Sequence, residues 1–439
     1  MSELGEELPP VRIGPEAYLS EDYARAENDK LWGKVWQIAC REEELPKVGD
    51  YVTYDILDES IIVTRAADDK IVSYYNACPH RGRRLTEGCG QTKKFVCRYH
   101  GWKWELNGEN AEVLWREDWG DALPAEDIRL REVKCDTWGG YVFINMDPDC
   151  GSLRDYLGPV TELLAPFELD KMRYRWRQWF YAPCNWKVAI EAFQEGYHVL
   201  GTHPQLTRIG GAKKSWSKAF GKHGAFGTAA GQSGAVAGAA GAMDARKAIA
   251  ESVNELWETL NASTTETIVN AANRLVDELP EGTPPDKVGA HLMMSAIKDD
   301  AARGVMWPKL TPEQVANAGI GWNIFPNTMI LHGPTFALCY RARPNGYDPN
   351  SSIFEIYVIE RFPDGQEPKP EPVFHPEMVD GKVMKIVMQD YRNMADVQQG
   401  MKSRGYAGSR PNPKQEGVVI NFHRQLASYM GTGAPEEVD

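Results

Sequence analysis

Two short segments of the chain carry residue types that hold metals. Cys78-Pro-His80-Arg-Gly82 is followed by Cys97-Arg-Tyr-His100-Gly101-Trp, with sixteen residues between His80 and Cys97. Each segment offers one thiolate and one imidazole. A structural zinc site usually pairs two cysteines on one knuckle and two histidines on a helix, whereas here each knuckle is mixed. Two cysteines on one iron and two histidines on the other is the ligand set of a [2Fe–2S] cluster whose neutral imidazoles raise its potential above that of an all-cysteine cluster. Gly82 and Gly101 stand where the backbone must turn tightly beside the cluster, and Pro79 stiffens the first loop. The bland alternative is two unrelated Cys/His pairs in a β-rich domain. The six other cysteines, at 40, 89, 135, 150, 184 and 339, read as small buried hydrophobes with no assigned chemistry.

A second constellation lies in Asn185-Trp-Lys-Val-Ala-Ile-Glu191-Ala-Phe-Gln-Glu195-Gly-Tyr-His198-Val-Leu-Gly-Thr-His203. Read as one helix over 185–200, it places Glu191, Glu195 and His198 on one face and Trp186, Ile190, Phe193 and Tyr197 on an adjacent apolar stripe. Gly201 is then expected to end the helix and let His203 swing back toward His198. Two histidines and one carboxylate leave open coordination positions on Fe(II) for O2. The carboxylate must come from elsewhere, and the candidate is Asp390 in Met388-Gln-Asp-Tyr-Arg-Asn393. Taken alone, Asp390 reads as an exposed helix residue and the His pair as equally suited to core or ligand.

The elements that must position these groups differ along the chain. Residues 15–45 read as an amphipathic helix and a strand. From Gly49 to Met146, short runs of alternating apolar and β-branched residues read as a small all-β domain. Beyond Pro159 the pattern is mixed, with strong strands at 321–343 and 351–362 and helices over 243–279. The Gly/Ala/Ser tract 224–242 reads as a mobile loop, and 208–245 as a lid. The expected division is 1–45, an N-terminal helical segment packing on the catalytic domain; 46–155, the cluster domain; and 156–439, an α+β catalytic domain with a variable helical insertion at 208–310.

Sixty-two acidic residues against 49 basic ones give a net charge of −13, which argues against a nucleic-acid partner. No run of 18 apolar residues and no signal-peptide core appear, so the expected compartment is the cytoplasm, without a membrane association. No G-x-G-x-x-G or Walker sequence occurs, so electrons from NAD(P)H need a separate reductase.

With both motifs in one chain, the sequence resembles the α subunits of Rieske non-haem iron aromatic-ring-hydroxylating oxygenases, over about residues 15–205 and 320–430. The resemblance implies an all-β Rieske domain with Cys78, His80, Cys97 and His100 on the cluster, and a helix-grip catalytic domain, an antiparallel sheet with helices. His198, His203 and Asp390 would hold a mononuclear Fe(II), with Glu195 and Asn393 as further catalytic residues. It also implies a ferredoxin or flavin reductase as electron donor, O2 as co-substrate and a homotrimer, with or without a small β subunit, in which the cluster of one subunit serves the iron of the next. The expected reaction is hydroxylation, as dihydroxylation, of an aromatic substrate, in a pocket lined from strands near Trp322–Phe336. Demethylation at oxygen or nitrogen, or hydroxylation of a non-aromatic substrate, is the alternative. Where the family usually carries a bridging Asp, this chain has Glu195, a substitution found in branches with non-aromatic substrates. Rivals from other classes are a Rieske electron carrier and a zinc-stabilised binding module.

Overall fold

A computed structural model describes residues 4–206, 215–228 and 244–438. The chain divides into two compact units, 25–156 and 1–24 with 157–439. The N-terminal stretch expected as one piece, 1–45, is therefore shared between them.

The smaller unit is built of ten strands: β1 (Gln37–Arg41), β2 (Asp50–Ile56), β3 (Glu59–Ala67), β4 (Lys70–Tyr75), β5 (Cys89–Gln91), β6 (Phe95–Val96), β7 (Lys103–Trp104), β8 (Asn110–Glu112), β9 (Glu132–Trp138) and β10 (Tyr141–Asn145). They form a seven-stranded antiparallel sheet in the order β1-β10-β9-β4-β3-β2-β5 and a three-stranded sheet β6-β7-β8. Alternation decides which face is inside: in β2, Val52, Tyr54 and Ile56 are buried and Asp55 is exposed. The core beneath the cluster loops contains Trp102, Trp104, Phe95 and Leu85, with Cys78 and Cys97 packed among them. Trp104 is fully buried, and its indole N–H donates to the Ile128 carbonyl at 2.7 Å.

The larger unit carries β11 (Arg173–Ala182), β12 (Ser215–Phe220), β13 (His223–Thr228), β14 (Gly321–Ile324), β15 (Thr328–His332), β16 (Phe336–Pro344), β17 (Ser352–Glu360) and β18 (Val373–His375). These make an eight-stranded sheet in the order β12-β13-β14-β15-β16-β17-β11-β18, antiparallel except for β11 with β18. Its helices include α1 (Glu16–Leu19), α2 (Trp186–Glu191), α3 (Val199–Thr202), α4 (Ala245–Leu260), α5 (Glu266–Asn273), α6 (Pro285–Ala302), α7 (Lys385–Met401) and α8 (Gly417–Met430). Helices α4 to α6 bury their own cluster of Ile249, Val253, Ile268, Val269, Val288 and Leu292. Among the described residues no helix is long and apolar enough to cross a membrane.

Two expectations need correction. Residues 224–228, read as the start of a mobile loop, are strand. A Cβ on Gly224 would lie 2.8 Å from Val418 of α8, and one on Gly227 would lie 2.7 Å from Trp216, so small residues are required for close packing rather than for mobility. The stretch 215–228 thus belongs to the catalytic sheet and not to a helical insertion; the rest of the tract, 229–242, and residues 208–214 of the expected lid lie outside the described residues. Trp322, expected near a substrate pocket, is fully buried against Phe220, its N–H bonded to the Ala318 carbonyl.

The sheet also holds an ion cluster. Burial alone would raise the Glu355 carboxyl, but Arg341 and Arg343 outweigh it and hold the group down at about 2. A carboxylate depressed in the folded state stabilises fully above its unfolded value, about 4.3, and that stability is lost as pH falls toward the folded value. Glu355→Gln should cost roughly 2 kcal/mol near neutral pH by removing the charge-assisted hydrogen bonds between this carboxylate and Arg341. Urea unfolding should also show less pH dependence than the parent as pH falls from about 5 to 2. Equal stability of the two proteins at pH 7 would refute this account.

Candidate metal centres

In the smaller unit the two metal-type loops have the same local build. Cys78 N–H donates to the Arg83 carbonyl and Gly82 N–H to the Cys78 carbonyl; Cys97 N–H donates to Trp102 and Gly101 N–H to Cys97, all at 2.8–2.9 Å. Gly82 and Gly101 both sit at φ +73°, in the left-handed region that favours glycine. One loop geometry is used twice, and it brings the four side chains together. The thiols are buried, and the two imidazole rings lie 4.5 Å apart between centroids. His80 stacks on Trp102 at 4.9 Å, and Tyr99 stacks on His100 at 3.8 Å.

The Nδ1 atoms of His80 and His100 are buried with no hydrogen-bond partner. A buried nitrogen left unpaired costs about 1–3 kcal/mol, so two of them in facing rings mark a place where something else binds. Burial, then the facing His100, lower the basicity of His80 and favour the neutral form that ligates a metal. Two thiolates and two unpaired imidazole nitrogens fit a mixed-ligand [2Fe–2S] cluster.

In the larger unit, Asn185 caps α2, its side chain accepting from the Lys187 N–H at 3.1 Å. The helix stops at Glu191 instead of running to 200. Phe193 and Gln194 bond back only three residues, and the Glu195 carboxylate then takes the N–H groups of Tyr197 and His198 for itself. A side chain competing for backbone donors breaks a helix, and Gly196 adds its own cost. Glu191, Glu195 and His198 therefore do not share one helical face. Gly201 lies inside the short α3 rather than ending a long helix, and His203 follows at its C-terminus.

The break aims three side chains at one point. His203 Nε2 is 2.9 Å and His198 Nε2 is 3.7 Å from Asp390 Oδ1. The three groups each offer a ligand atom within 4.8 Å of the others. Asp390 is buried on the inner face of α7, with Val387, Met394 and Met401. The opposite ring nitrogens are held: His198 Nδ1 lies 2.6 Å from Glu195 Oε1, and His203 Nδ1 lies 2.9 Å from Gln389 Oε1. Each Nδ1 donates to an oxygen, which leaves the Nε2 lone pairs facing Asp390. Burial alone would lower the basicity of His198, but Glu195 and then Asp390 outweigh it and raise it, so the site favours positive charge. Two imidazoles and one carboxylate with both histidines oriented from behind fit a mononuclear Fe(II).

Gln389, one residue before Asp390, was not singled out from the sequence; its only signal was adjacency to a candidate ligand. Asn393 is exposed and does not face this group. It donates to Thr202 Oγ1 at 2.8 Å and ties α7 to α3. Glu191 turns away toward Tyr18 and His423.

Comparison with known proteins supports both centres. Residues 35–116 match the Rieske [2Fe-2S] domain, and residues 169–432 match the ring hydroxylating alpha subunit catalytic domain. The chain is 31% identical over 207 residues to the carnitine monooxygenase oxygenase subunit of Escherichia coli K12, 46% of this chain and 55% of that protein. It is 31% identical over 208 residues to the biphenyl 2,3-dioxygenase α subunit of Rhodococcus jostii, 45% and 44%. To the glycine betaine monooxygenase oxygenase subunit of Chromohalobacter salexigens it is 34% identical over 172 residues, 39% and 38%. The chain thus spans about half or less of the length of these relatives. The crystal structure of the quaternary ammonium Rieske monooxygenase CntA with L-carnitine shares the fold, with a TM-score of 0.63 at 19% identity, covering 96% of both chains. Naphthalene 1,2-dioxygenase from Rhodococcus sp. does likewise at 0.62 and 20%, covering 97% of this chain and 95% of that one. Because the catalytic-domain match takes in more than half of the residues and the Rieske match precedes it, the chain belongs to the family of ring-hydroxylating α subunits.

Proposed function

We propose that the chain is the terminal oxygenase component of a multicomponent Rieske monooxygenase acting on a small non-aromatic substrate, with quaternary ammonium compounds as the class to test first. The observation that carries the choice is Glu195: it stands where the family usually has Asp and still reaches His198 Nδ1 at 2.6 Å. This substitution occurs in some branches with non-aromatic substrates, and two of the relatives above are a carnitine and a glycine betaine monooxygenase. A second reading, dihydroxylation of an aromatic ring, is supported by the equal identity to a biphenyl dioxygenase.

In this proposal Cys78 and Cys97 hold one iron of the cluster and His80 and His100 the other, and a ferredoxin or flavin reductase supplies electrons from NAD(P)H. His198, His203 and Asp390 hold the mononuclear iron. Bound there, the iron supplies reductive activation of O2 beside the substrate. Glu195 and Gln389 fix the tautomers of the two histidines, so that neither ring turns its N–H toward the metal. Asn393 acts by holding α7 against α3. The family's homotrimer remains the expected assembly, with the cluster of one subunit serving the iron of the next; a small β subunit is a separate question for purification.

The test is substrate-dependent O2 uptake with a surrogate reductase, run on carnitine, glycine betaine and biphenyl under 18O2. Hydroxylation at a carbon next to nitrogen should consume one O2 and two electrons per substrate and release an amine and a carbonyl fragment. A cis-diol with two labelled oxygens would replace this reading with the aromatic one.

A further inference from the structure

Beside the iron-type site lies a second polar cluster that the proposed function leaves without a role. Tyr18 of α1 is fully buried, and its hydroxyl lies 2.7 Å from His423 Nε2 and 3.0 Å from Glu191 Oε2. His423 Nε2 is also 2.8 Å from Glu191 Oε1. The three groups come from the N-terminal helix, the end of α2 and the middle of α8. His423 is only 4% exposed, yet it lines a cleft of about 570 Å³ with Arg12, Glu16 and Tyr23.

A seam between helices would normally be filled with apolar side chains, because a buried phenol, imidazole and carboxylate are costly to desolvate. This seam also has direction. One end, His423, touches the cleft. The other end, Glu191, has no direct bond to the iron-type group but is linked to it through Glu416, whose carboxyl interacts electrostatically with Glu191, Glu195 and His198. Glu416 stands at the start of α8, seven residues before His423 and so on the same face of that helix. It accepts the Asn412 N–H at 2.6 Å; burial raises its carboxyl, as do the nearby Glu195 and Glu191. Tyr406, bonded to Ser409, and the buried Cys184 thiol beside Glu191 also face the cluster. Burial and then Glu191 raise Tyr18 well above a normal phenol, so it stays protonated and works as a hydroxyl that both donates and accepts.

We propose that His423, Tyr18 and Glu191 form a proton-entry relay that carries protons from the cleft toward the iron-ligand loop. The inference rests on the oxygenase reading above. Monooxygenation combines substrate C–H, O2, two electrons and two protons into C–OH and water. The electrons come from the external reductase, and the protons must come from solvent into a buried site. His423 takes a proton from the cleft and releases one from Nε2 to Glu191 or through the Tyr18 hydroxyl. No change in the protonation of Glu195 is required.

The full-length, iron- and cluster-loaded protein carrying His423→Gln or Glu191→Gln should turn over about 10- to 100-fold more slowly. KM should change little, the solvent deuterium isotope effect should rise and the pH dependence of kcat should flatten. Tyr18→Phe, which keeps the packing, should show the same signs in smaller degree. His423→Gly should be rescued by added imidazole and not by pyrrole, which fills the same space without carrying protons. In the metal-free protein, exchange of the histidine C2 proton, followed by mass spectrometry, should be at least about tenfold faster at His423 than at His223, which is buried with its Nδ1 bonded to the Phe325 N–H. An unchanged isotope effect in both Gln variants, or exchange at His423 as slow as at His223, would overturn the relay and leave a structural seam. A parent protein that consumes no O2 with any substrate class would instead fail the oxygenase reading, and the exchange rates would still judge the relay.

Discussion

Asp390→Ala should lower substrate-dependent O2 consumption by about a thousandfold or more while leaving the visible spectrum of the cluster intact, and His203→Ala should do the same. The separation follows from the architecture, because the cluster ligands lie in one compact unit and His198, His203 and Asp390 in the other. Asp390 supplies the negative charge among the three ligands, and it is buried, so water replaces it poorly. Its loss leaves two neutral imidazoles, a weaker site for Fe(II), and metal analysis should find the mononuclear iron depleted. Glu195→Gln is the instructive contrast. It keeps an oxygen beside His198 Nδ1 and loses the charge, for which the expected cost is nearer 10- to 100-fold in iron affinity or rate. Turnover that survives Asp390→Ala would remove this residue from the metal site.

His100→Cys should lower the reduction potential of the cluster by roughly 200 mV or more, since neutral imidazole ligation places Rieske centres far above all-cysteine clusters. A thiolate in place of a neutral ring adds negative charge next to the iron and favours the oxidised state. The geometry is permissive: His100 Nδ1 has no protein partner to lose, and the loop turn rests on Gly101 and backbone hydrogen bonds that the substitution leaves alone. Redox titration followed by circular dichroism or EPR gives the shift directly. An unchanged potential would mean that His100 is no ligand. A colourless parent protein without a rhombic EPR signal after reduction would point to the zinc module instead.

How much of this was legible in the residues depends on how local each feature is. The cluster loops were readable because ligand pairs, turn glycines and proline sit within five or six residues of one another. The expected helix over 185–200 failed because periodicity cannot show that Glu195 caps the N–H groups of Tyr197 and His198. The glycines near 224 read as mobility because their partners, Val418 and Trp216, are unknown until the strand packs. Asn393, carried over with its segment, turned out to be a tie between α7 and α3.

The sequence by itself determined the chemistry on offer: two mixed Cys/His knuckles, a His198/His203 pair, and no dinucleotide motif beside them. Tertiary structure decided which distant groups meet them. Asp390 lies 187 residues beyond His203 in sequence and reaches it only because α7 turns its buried face inward. Gln389, Tyr18 and His423 were silent in one dimension for the same physical reason. A hydrogen bond needs approach to within about 3 Å, and for residues hundreds of positions apart that approach is set by the packing of whole helices, not by the spacing of letters.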